Sequence, residues 1–273
     1  MRSTVRKDGP SLARFNGIIL AGERRKGSEL LAKYHVKAKA FIELAGRPLI
    51  LRVLDALIES GFIDRIVLCG NDLASFRKLP QIDRLLGKGN LIWVQNEKGP
   101  SMSAYKALKA TGGSKPVLLT TSDHGLLQPR HVRYFCENAL SSRADLVVGL
   151  ARRKILEKYP HVKRTYYRFR NGQYCSCNLF GFMNTASFDT PFFWKNLEEQ
   201  RKSPLRIISG FGWTWALRYL MGRLSLEQAL ERASFVLGCK LGYVLMPFAE
   251  AAIDVDSVED LKLCEKILTD SSK

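Results

Sequence analysis

Acidic residues are scarce in this chain: 26 Asp and Glu stand against 43 Lys and Arg in 273 residues, a formal net charge of +17. That balance disfavours cationic partners and favours anionic ones: nucleotide phosphates, acidic metabolites, nucleic acid or an anionic membrane surface. Long hydrophobic runs are missing too. No stretch reaches the roughly 18 apolar residues that a membrane span requires. The opening segment MRSTVRKDGPSLARF has no apolar signal core, so a soluble or at most peripheral protein is expected. The six cysteines include no CxxC pair and no zinc-type quartet. Cys69, Cys136 and Cys264 sit in apolar patterns suited to small buried thiols, and Cys175-Ser-Cys177 is a weak candidate for metal. A reducing, cytoplasmic compartment is the simpler account. None of the four histidines pairs with another at i,i+4, and no GxSxG is present, which argues against zinc sites and hydrolase triads.

What is present is a rhythm. Short apolar runs at 17–20, 65–69, 91–94, 116–120 and 145–150 alternate with helical periodicity at 48–60, 72–78, 81–87, 101–111 and 129–141. Such alternation predicts an α/β fold with a mostly parallel sheet and right-handed crossovers. Pro116-Val-Leu-Leu-Thr and Asp145-Leu-Val-Val-Gly-Leu lack polar alternation and read as strands covered on both faces. Beyond Leu150 the rhythm changes. Thr165 to Phe169 and Asn178 to Met183 read as strands joined through the turn Asn171-Gly172, residues 188–237 as helical, and Gly242 to Met246 as a closing strand. A final helix starts near Ser257, where Ser257-Val-Glu-Asp260 has capping-box spacing. Residues 1–15 read as a flexible basic N-terminus and 16–270 as one domain, with 151–240 an acceptor-side region carrying a helical insertion.

The first strand runs through Leu20 into Ala21-Gly22-Glu23 and a loop dense in cations, including Arg24 and Lys26; a second apolar patch surrounds Lys39, and Gly46-Arg47-Pro48 opens a helix. Backbone N–H groups and cations at a strand end suit a polyphosphate. Leu20-Ala21-Gly22, followed by Lys39-Ala40-Phe41-Ile42-Glu43-Leu44-Ala45-Gly46-Arg47-Pro48-Leu49, resembles the signature of the MobA-like nucleotidyltransferases. The resemblance implies a three-layer α/β sandwich, an NTP held by the first loop, and phosphate contact from Lys39. It departs from the family pattern at Glu23, Gly27 and Ala38.

Ser122-Asp123-His124 follows the strand at 116–120, and the carboxyl ends of strands form the ligand crevice of an open α/β sheet. A carboxylate facing a phosphate loop needs a cation between them, and Mg²⁺ is commonly shared by carboxylates and substrate phosphates. The bland reading of Asp123 is a turn cap. The resemblance places the family's metal-binding aspartate at this strand end, and it also aligns Ile253-Asp254-Val255-Asp256 with an acidic ending that completes the metal site. In an extended chain Asp254 and Asp256 share a face, so both could reach one ion; helix capping is the competing role for Asp256. The expected metal set is therefore Asp123, Asp254 and Asp256, the catalytic set Lys39, Asp123 and Arg24, and the cofactor Mg²⁺.

The resemblance brings the segment with Ser101 and Ser103 near the base and ribose, although Ser101 suits an N-cap equally well. Alternation in 164–169 puts Arg164 and Arg168 on one face, where they could clamp an acidic acceptor. Asn178 matches an acceptor-contacting asparagine of related enzymes, with a structural amide as the alternative, and His124 could line the pocket. The expected partners are a nucleoside triphosphate, CTP or GTP favoured, and a phosphorylated acceptor, with pyrophosphate released. Nucleic acid is not expected, whereas a homodimer and peripheral membrane contact through the aromatic block 211–221 stay open, a buried helix being the plainer reading of that block. The competing functions are a glycosyltransferase using Asp254-Val-Asp256, and an inactive basic nucleotide- or nucleic-acid-binding protein.

Overall fold

The structure, a computed structural model, describes residues 14–23, 29–197, 204–210 and 212–271. Its strands are β1 (Phe15–Ala21), β2 (Glu43–Leu44), β3 (Arg47–Pro48), β4 (Ile63–Gly70), β5 (Leu91–Gln95), β6 (Val117–Thr121), β7 (Leu146–Arg152), β8 (Tyr167–Phe169), β9 (Gly172–Phe182) and β10 (Leu241–Leu245). Eight of them form one sheet in the order β10-β7-β9-β6-β1-β4-β5, with β8 added to β9; β2 and β3 make a separate hairpin. β1 lies parallel to both β4 and β6, β4 to β5, and β7 to β10. β9 is the antiparallel strand wedged between β6 and β7.

Successive residues explain why the apolar runs show no alternation. Ile18 and Ile19 belong to opposite cores. One face of the sheet packs on the helices Leu49–Glu59, Pro129–Ser141 and Val258–Ser271, which contribute Leu54, Phe135 and Leu261. The other packs on Pro100–Ala110, through Ala104, Ala107 and Leu108. With both faces covered, each strand must be apolar throughout, and each fully buried Leu or Ile contributes ~1.5–3 kcal/mol. This is the expected three-layer α/β sandwich.

The chain steps outward from β1 to β4 and β5, then returns to β6 on the other side of β1. That reversal opens a crevice at the carboxyl ends of β1 and β6. The hairpin β2–β3 turns through Ala45 and Gly46, both at positive φ, as a two-residue primed turn requires, and delivers the chain into Leu49–Glu59.

Two expectations need adjustment. The strand placed at 178–183 begins at Gly172 and runs eleven residues to Phe182; Cys175 and Cys177 lie within it and are buried. Burial pushes the Cys175 thiol up to about 11 and Cys177 higher still, so both pack as neutral thiols, and among the described residues no group of three or more His, Cys, Asp or Glu is arranged with them to hold a metal ion. The second concerns Ser101: the helix Pro100–Ala110 is capped at Gly99, which leaves Ser101 inside the first turn.

His131 is fully buried in Pro129–Ser141 against the Phe248 ring, 4.7 Å between centroids, and its Nδ1 accepts from the Gln128 N–H at 3.3 Å. Burial drives its imidazole down to about 3. A group depressed from 6.5 stabilises the fold in full above pH 6.5 and loses that contribution as pH falls toward the folded value. The wild type should therefore lose about 2–3 kcal/mol more stability between pH 7 and pH 4.5 than the His131→Phe variant. Urea unfolding at the two pH values measures it; equal losses in both proteins would contradict the assignment.

Candidate active site

The crevice is assembled from four strand ends. The Ser122 N–H donates to Leu20 O at 3.0 Å and joins the end of β6 to the end of β1. Beyond β1, Ala21 is buried and Gly22 packs so closely on Asn96 that an added Cβ would meet its Nδ2 at 3.1 Å. The Glu23 N–H donates to Asn71 Oδ1 at 2.6 Å, and Gln95 Nε2 to Asn71 O at 2.8 Å, so the segments after β1, β4 and β5 are tied together. After β5, Ser103 is buried and its hydroxyl accepts from the Glu97 N–H at 2.9 Å while donating to Gly99 O at 2.8 Å. That serine shapes the loop from within; Ser101 sits two residues earlier, partly exposed. Arg24 and Lys26 lie outside the described residues.

Lys39 opens the 3-10 turn Lys39–Phe41, whose Phe41 ring stacks on Phe76 at 4.7 Å, with Trp93 behind at 5.3 Å. Glu23, standing where the resembled families have glycine, accepts the Lys39 N–H at 3.2 Å through Oε2. From this anchored backbone Lys39 Nζ donates to Asp123 Oδ2 at 2.9 Å and to Asp256 Oδ1 at 2.5 Å. Burial disfavours the ammonium, but the two carboxylates outweigh it and hold Lys39 above its ordinary value. Burial likewise pushes Asp123 up, yet the Lys39 charge more than offsets this and keeps the carboxyl low. Asp123 Oδ1 is buried without a hydrogen-bond partner among the described residues.

Backbone contacts fix these distant acids in place. The Asp123 carbonyl accepts from Val255 N–H at 3.0 Å and Gly125 N–H at 2.9 Å. Gly125 is required by close approach: a Cβ there would lie 2.5 Å from Leu49 Cδ2 and 2.9 Å from Leu44 Cδ2. Arg52 Nε donates to Gly125 O at 3.0 Å and clamps the same turn from Leu49–Glu59. The predicted capping box is present, with Ser257 N–H donating to Asp260 Oδ2 at 2.9 Å and Asp260 N–H to Ser257 Oγ at 3.2 Å. It sets the direction in which Asp256 leaves the helix.

Asp254 has different partners. Its Oδ1 is paired with Arg164 Nη1, and its Oδ2 accepts from Asn178 Nδ2 at 2.8 Å. Arg164 also donates through Nη2 to Ser176 O at 2.8 Å. Burial would lower Arg164, but the Asp254 carboxylate prevails and raises it. Asn178 occupies the left-handed region at φ 51°, at the irregularity where β9 slips against β7 between Val148 and Leu150. Asn tolerates that conformation, and the bulge aims its amide at Asp254. Asp254 is thus engaged by Arg164 and Asn178, while Asp256 is exposed and reaches Lys39. Burial raises the Asp254 carboxyl, and both Asp123 and Asp256 lie close enough for their charges to raise it further. Among the described residues no group of three or more His, Cys, Asp or Glu is arranged to hold a metal ion. The three acids meet without forming a ready-made cage.

The arginine clamp is not assembled either. Arg164 precedes β8 and turns inward, whereas Arg168 is exposed on β8, with its N–H donating to the Tyr219 hydroxyl at 2.9 Å. The alternation does hold for Tyr167 and Phe169, which stack on one face at 6.4 Å. His124 is buried with Nδ1 3.3 Å from Thr120 Oγ1, and burial takes its imidazole down to about 4 despite the neighbouring Asp123, so it is neutral at pH 7.

A family model of the MobA-like NTP transferase domain matches residues 17–197. The chain belongs to this family. It is thus a nucleotidyltransferase, and other solved structures agree in fold. A hypothetical transferase from Thermus thermophilus is 27% identical, with TM-score 0.74 over 91% of this chain and 99% of its own. At 15% identity come 4-diphosphocytidyl-2C-methyl-D-erythritol synthase from Anaerococcus prevotii, TM-score 0.55 over 94% and 99%, and a protein described as a glucose-1-phosphate thymidylyltransferase from Bacillus anthracis, TM-score 0.58 over 94% and 96%. No curated protein matches the sequence. Nothing in the composition marks the contacts that Asn71, Arg52 and Gly125 make at the strand ends of this transferase; they emerge only once those ends are placed side by side.

Because the Arg164–Asp254 pair is largely buried, removing one partner strands a charge. Arg164→Ala should cost about 3–5 kcal/mol, and Arg168→Ala no more than about 0.5 kcal/mol. Denaturant midpoints compare them; equal effects would show that Arg164 does not hold Asp254.

Proposed function

We propose that the protein transfers a nucleoside monophosphate from an NTP to a phosphorylated small-molecule acceptor and releases pyrophosphate. A phosphate oxygen of the acceptor attacks the α-phosphorus; the bond from that phosphorus to the bridging oxygen of the β-phosphate breaks, and its electrons leave with pyrophosphate. The reading is supported most by one observation: Lys39, Asp123 and Asp256, from three separated parts of the chain, meet at the strand-end crevice beside the loop after β1. Positioning and electrostatics suffice for such a transfer, with no covalent enzyme intermediate.

The donor set fits Mg²⁺ in a particular way. Asp123 offers a buried oxygen without a partner among the described residues, and Asp256 an exposed carboxylate across Lys39. Mg²⁺ takes one or two carboxylates together with substrate phosphates, so these two residues would hold it and Asp254 would not. Bound there, it would neutralise charge on the α-phosphate. Lys39, released from the acids, would donate to the phosphates; Arg24 and Lys26 are assigned the same task by their place in the loop. Leu20, Ala21, Gly22 and Glu23 form the phosphate side of the cradle, Ser122 continues it from β6, and Ser101 and Ser103 belong to the base and ribose side. Arg164 and Asn178 act through Asp254, and Arg168 faces solvent, where an acidic acceptor can reach it.

CTP and GTP are the preferred donors. The A. prevotii and B. anthracis proteins are described as a 4-diphosphocytidyl-2C-methyl-D-erythritol synthase and a glucose-1-phosphate thymidylyltransferase, which supports a nucleotide donor without selecting the base. Residues 16–270 act as one domain, with 151–240 on the acceptor side. The six cysteines are all free and buried, which suits a cytoplasmic enzyme.

The test is to incubate the protein with each NTP, Mg²⁺ and a panel of phosphorylated metabolites while following pyrophosphate. Turnover should appear with CTP or GTP, and Asp123→Asn should reduce it by at least roughly a hundredfold without loss of fold. Release of nucleoside diphosphate would point to glycosyl transfer instead, and undiminished turnover in Asp123→Asn would remove that residue from the chemistry.

A further inference from the structure

The helix Trp213–Leu220 departs from its expected burial. Trp213 is 82% exposed, Leu220 64%, Leu217 56% and the following Met221 48%. Spaced i, i+4, i+7 and i+8, these four side chains form one stripe along the helix; its other side is fixed to the protein by buried Ala216 and by Tyr219 against Phe169. The adjoining helix Leu226–Leu237 presents Phe235, 79% exposed. Soluble surfaces carry single exposed apolar residues freely, but a row of large ones marks a contact surface.

The charges around this stripe identify what it meets. Residues 204–240 hold Arg206, Arg218, Arg223, Arg232 and Lys240 against Glu227 and Glu231. Glu227 is already engaged by Asn171 and the Tyr243 hydroxyl. Arg218 and Arg232 stack on Trp215 at 4.9 and 6.0 Å, and Arg232 lies 5.2 Å from the Phe235 ring. Arg232 thus lies beside the protruding Phe235, and Arg218 belongs to the same helix as the exposed stripe. A helix with Trp and Leu outward and arginines beside them is built to lie in a bilayer interface, its apolar face among acyl chains and its cations at the headgroups. A second copy of this chain fits less well, because each brings a formal charge of +17 to the contact. The described residues contain no helix long and apolar enough to cross a membrane.

We propose that Trp213, Leu217, Leu220 and Met221, with Phe235 beside them, form a peripheral docking surface for an anionic lipid bilayer. None of these residues contacts Lys39, Asp123 or Asp256 among the hydrogen bonds and ion pairs of that site, and the proposal does not depend on the reaction assigned there. Docking would hold the transferase at a surface where an amphiphilic acceptor, or a membrane enzyme consuming its product, is concentrated.

Co-sedimentation of the full chain with vesicles of phosphatidylcholine alone, and with 30 mol% phosphatidylglycerol added, tests this directly. The wild type should bind the anionic vesicles at least tenfold more tightly than the neutral ones, with a blue shift of tryptophan emission. Trp213→Glu/Leu220→Glu should lower that binding at least tenfold, and Trp213→Ala should abolish most of the shift; both variants should keep the wild-type melting temperature and pyrophosphate release. Three results would overturn the proposal: no binding to anionic vesicles at low salt, equal binding by the double variant, which would assign it to net charge elsewhere, or a solution dimer that shields Trp213 and dissociates in the double variant.

Discussion

One ammonium group organises the chemistry of this molecule. Asp123 and Asp256 carry negative charge toward the same space, and their repulsion would separate the strand end from the C-terminal segment if nothing stood between them. Lys39 stands there, within 2.9 Å of one and 2.5 Å of the other. Its side chain reaches that point because its backbone is held by Glu23 and its turn is braced by Phe41, Phe76 and Trp93. The same charge that holds the two carboxylates together is the one the proposed reaction needs on a departing pyrophosphate.

The second ion pair is less open to exchange. Arg164 and Asn178 hold Asp254 from two directions, one from the segment before β8 and the other from the bulge in β9. Both lie on the antiparallel insertion that interrupts the parallel sheet between β6 and β7. Asp254 thereby links that insertion to the strand-end crevice. The three acids differ in their contacts: Asp123 and Asp256 meet Lys39, and Asp254 meets Arg164 and Asn178.

Much of this was legible in the sequence, for identifiable reasons. Continuous apolar runs announce strands covered on both faces, and Leu20-Ala21-Gly22 with Lys39 carried enough pattern to indicate the family. Asp123 was legible because it follows a strand without a break, and Ser257 with Asp260 because a capping box is local. The rest depends on contacts across tens of residues. Polar residues within β9 obscure its first half, since an edge-paired antiparallel strand tolerates Gln173 and Ser176 where a central parallel one would not. The left-handed turn at Asn178 has no sequence signal stronger than the residue itself. Apolar content alone cannot say whether the Trp213–Leu220 stripe faces the core or solvent, because the helix is apolar on more than one side. Arg164 and Arg168 looked equivalent in an alternating strand, yet the strand begins only at Tyr167.

The central claim is that Lys39 holds, in the absence of substrate, the place between Asp123 and Asp256 that a nucleotide-bound cation would take. A crystal structure with Mg²⁺ and a non-hydrolysable CTP or GTP analogue tests it most directly. The account predicts Asp123 and Asp256 as ligands of the ion, Lys39 Nζ moved onto the phosphates, and Asp254 still paired with Arg164. A nucleotide seated elsewhere, with Lys39 unmoved between the two carboxylates, would contradict it.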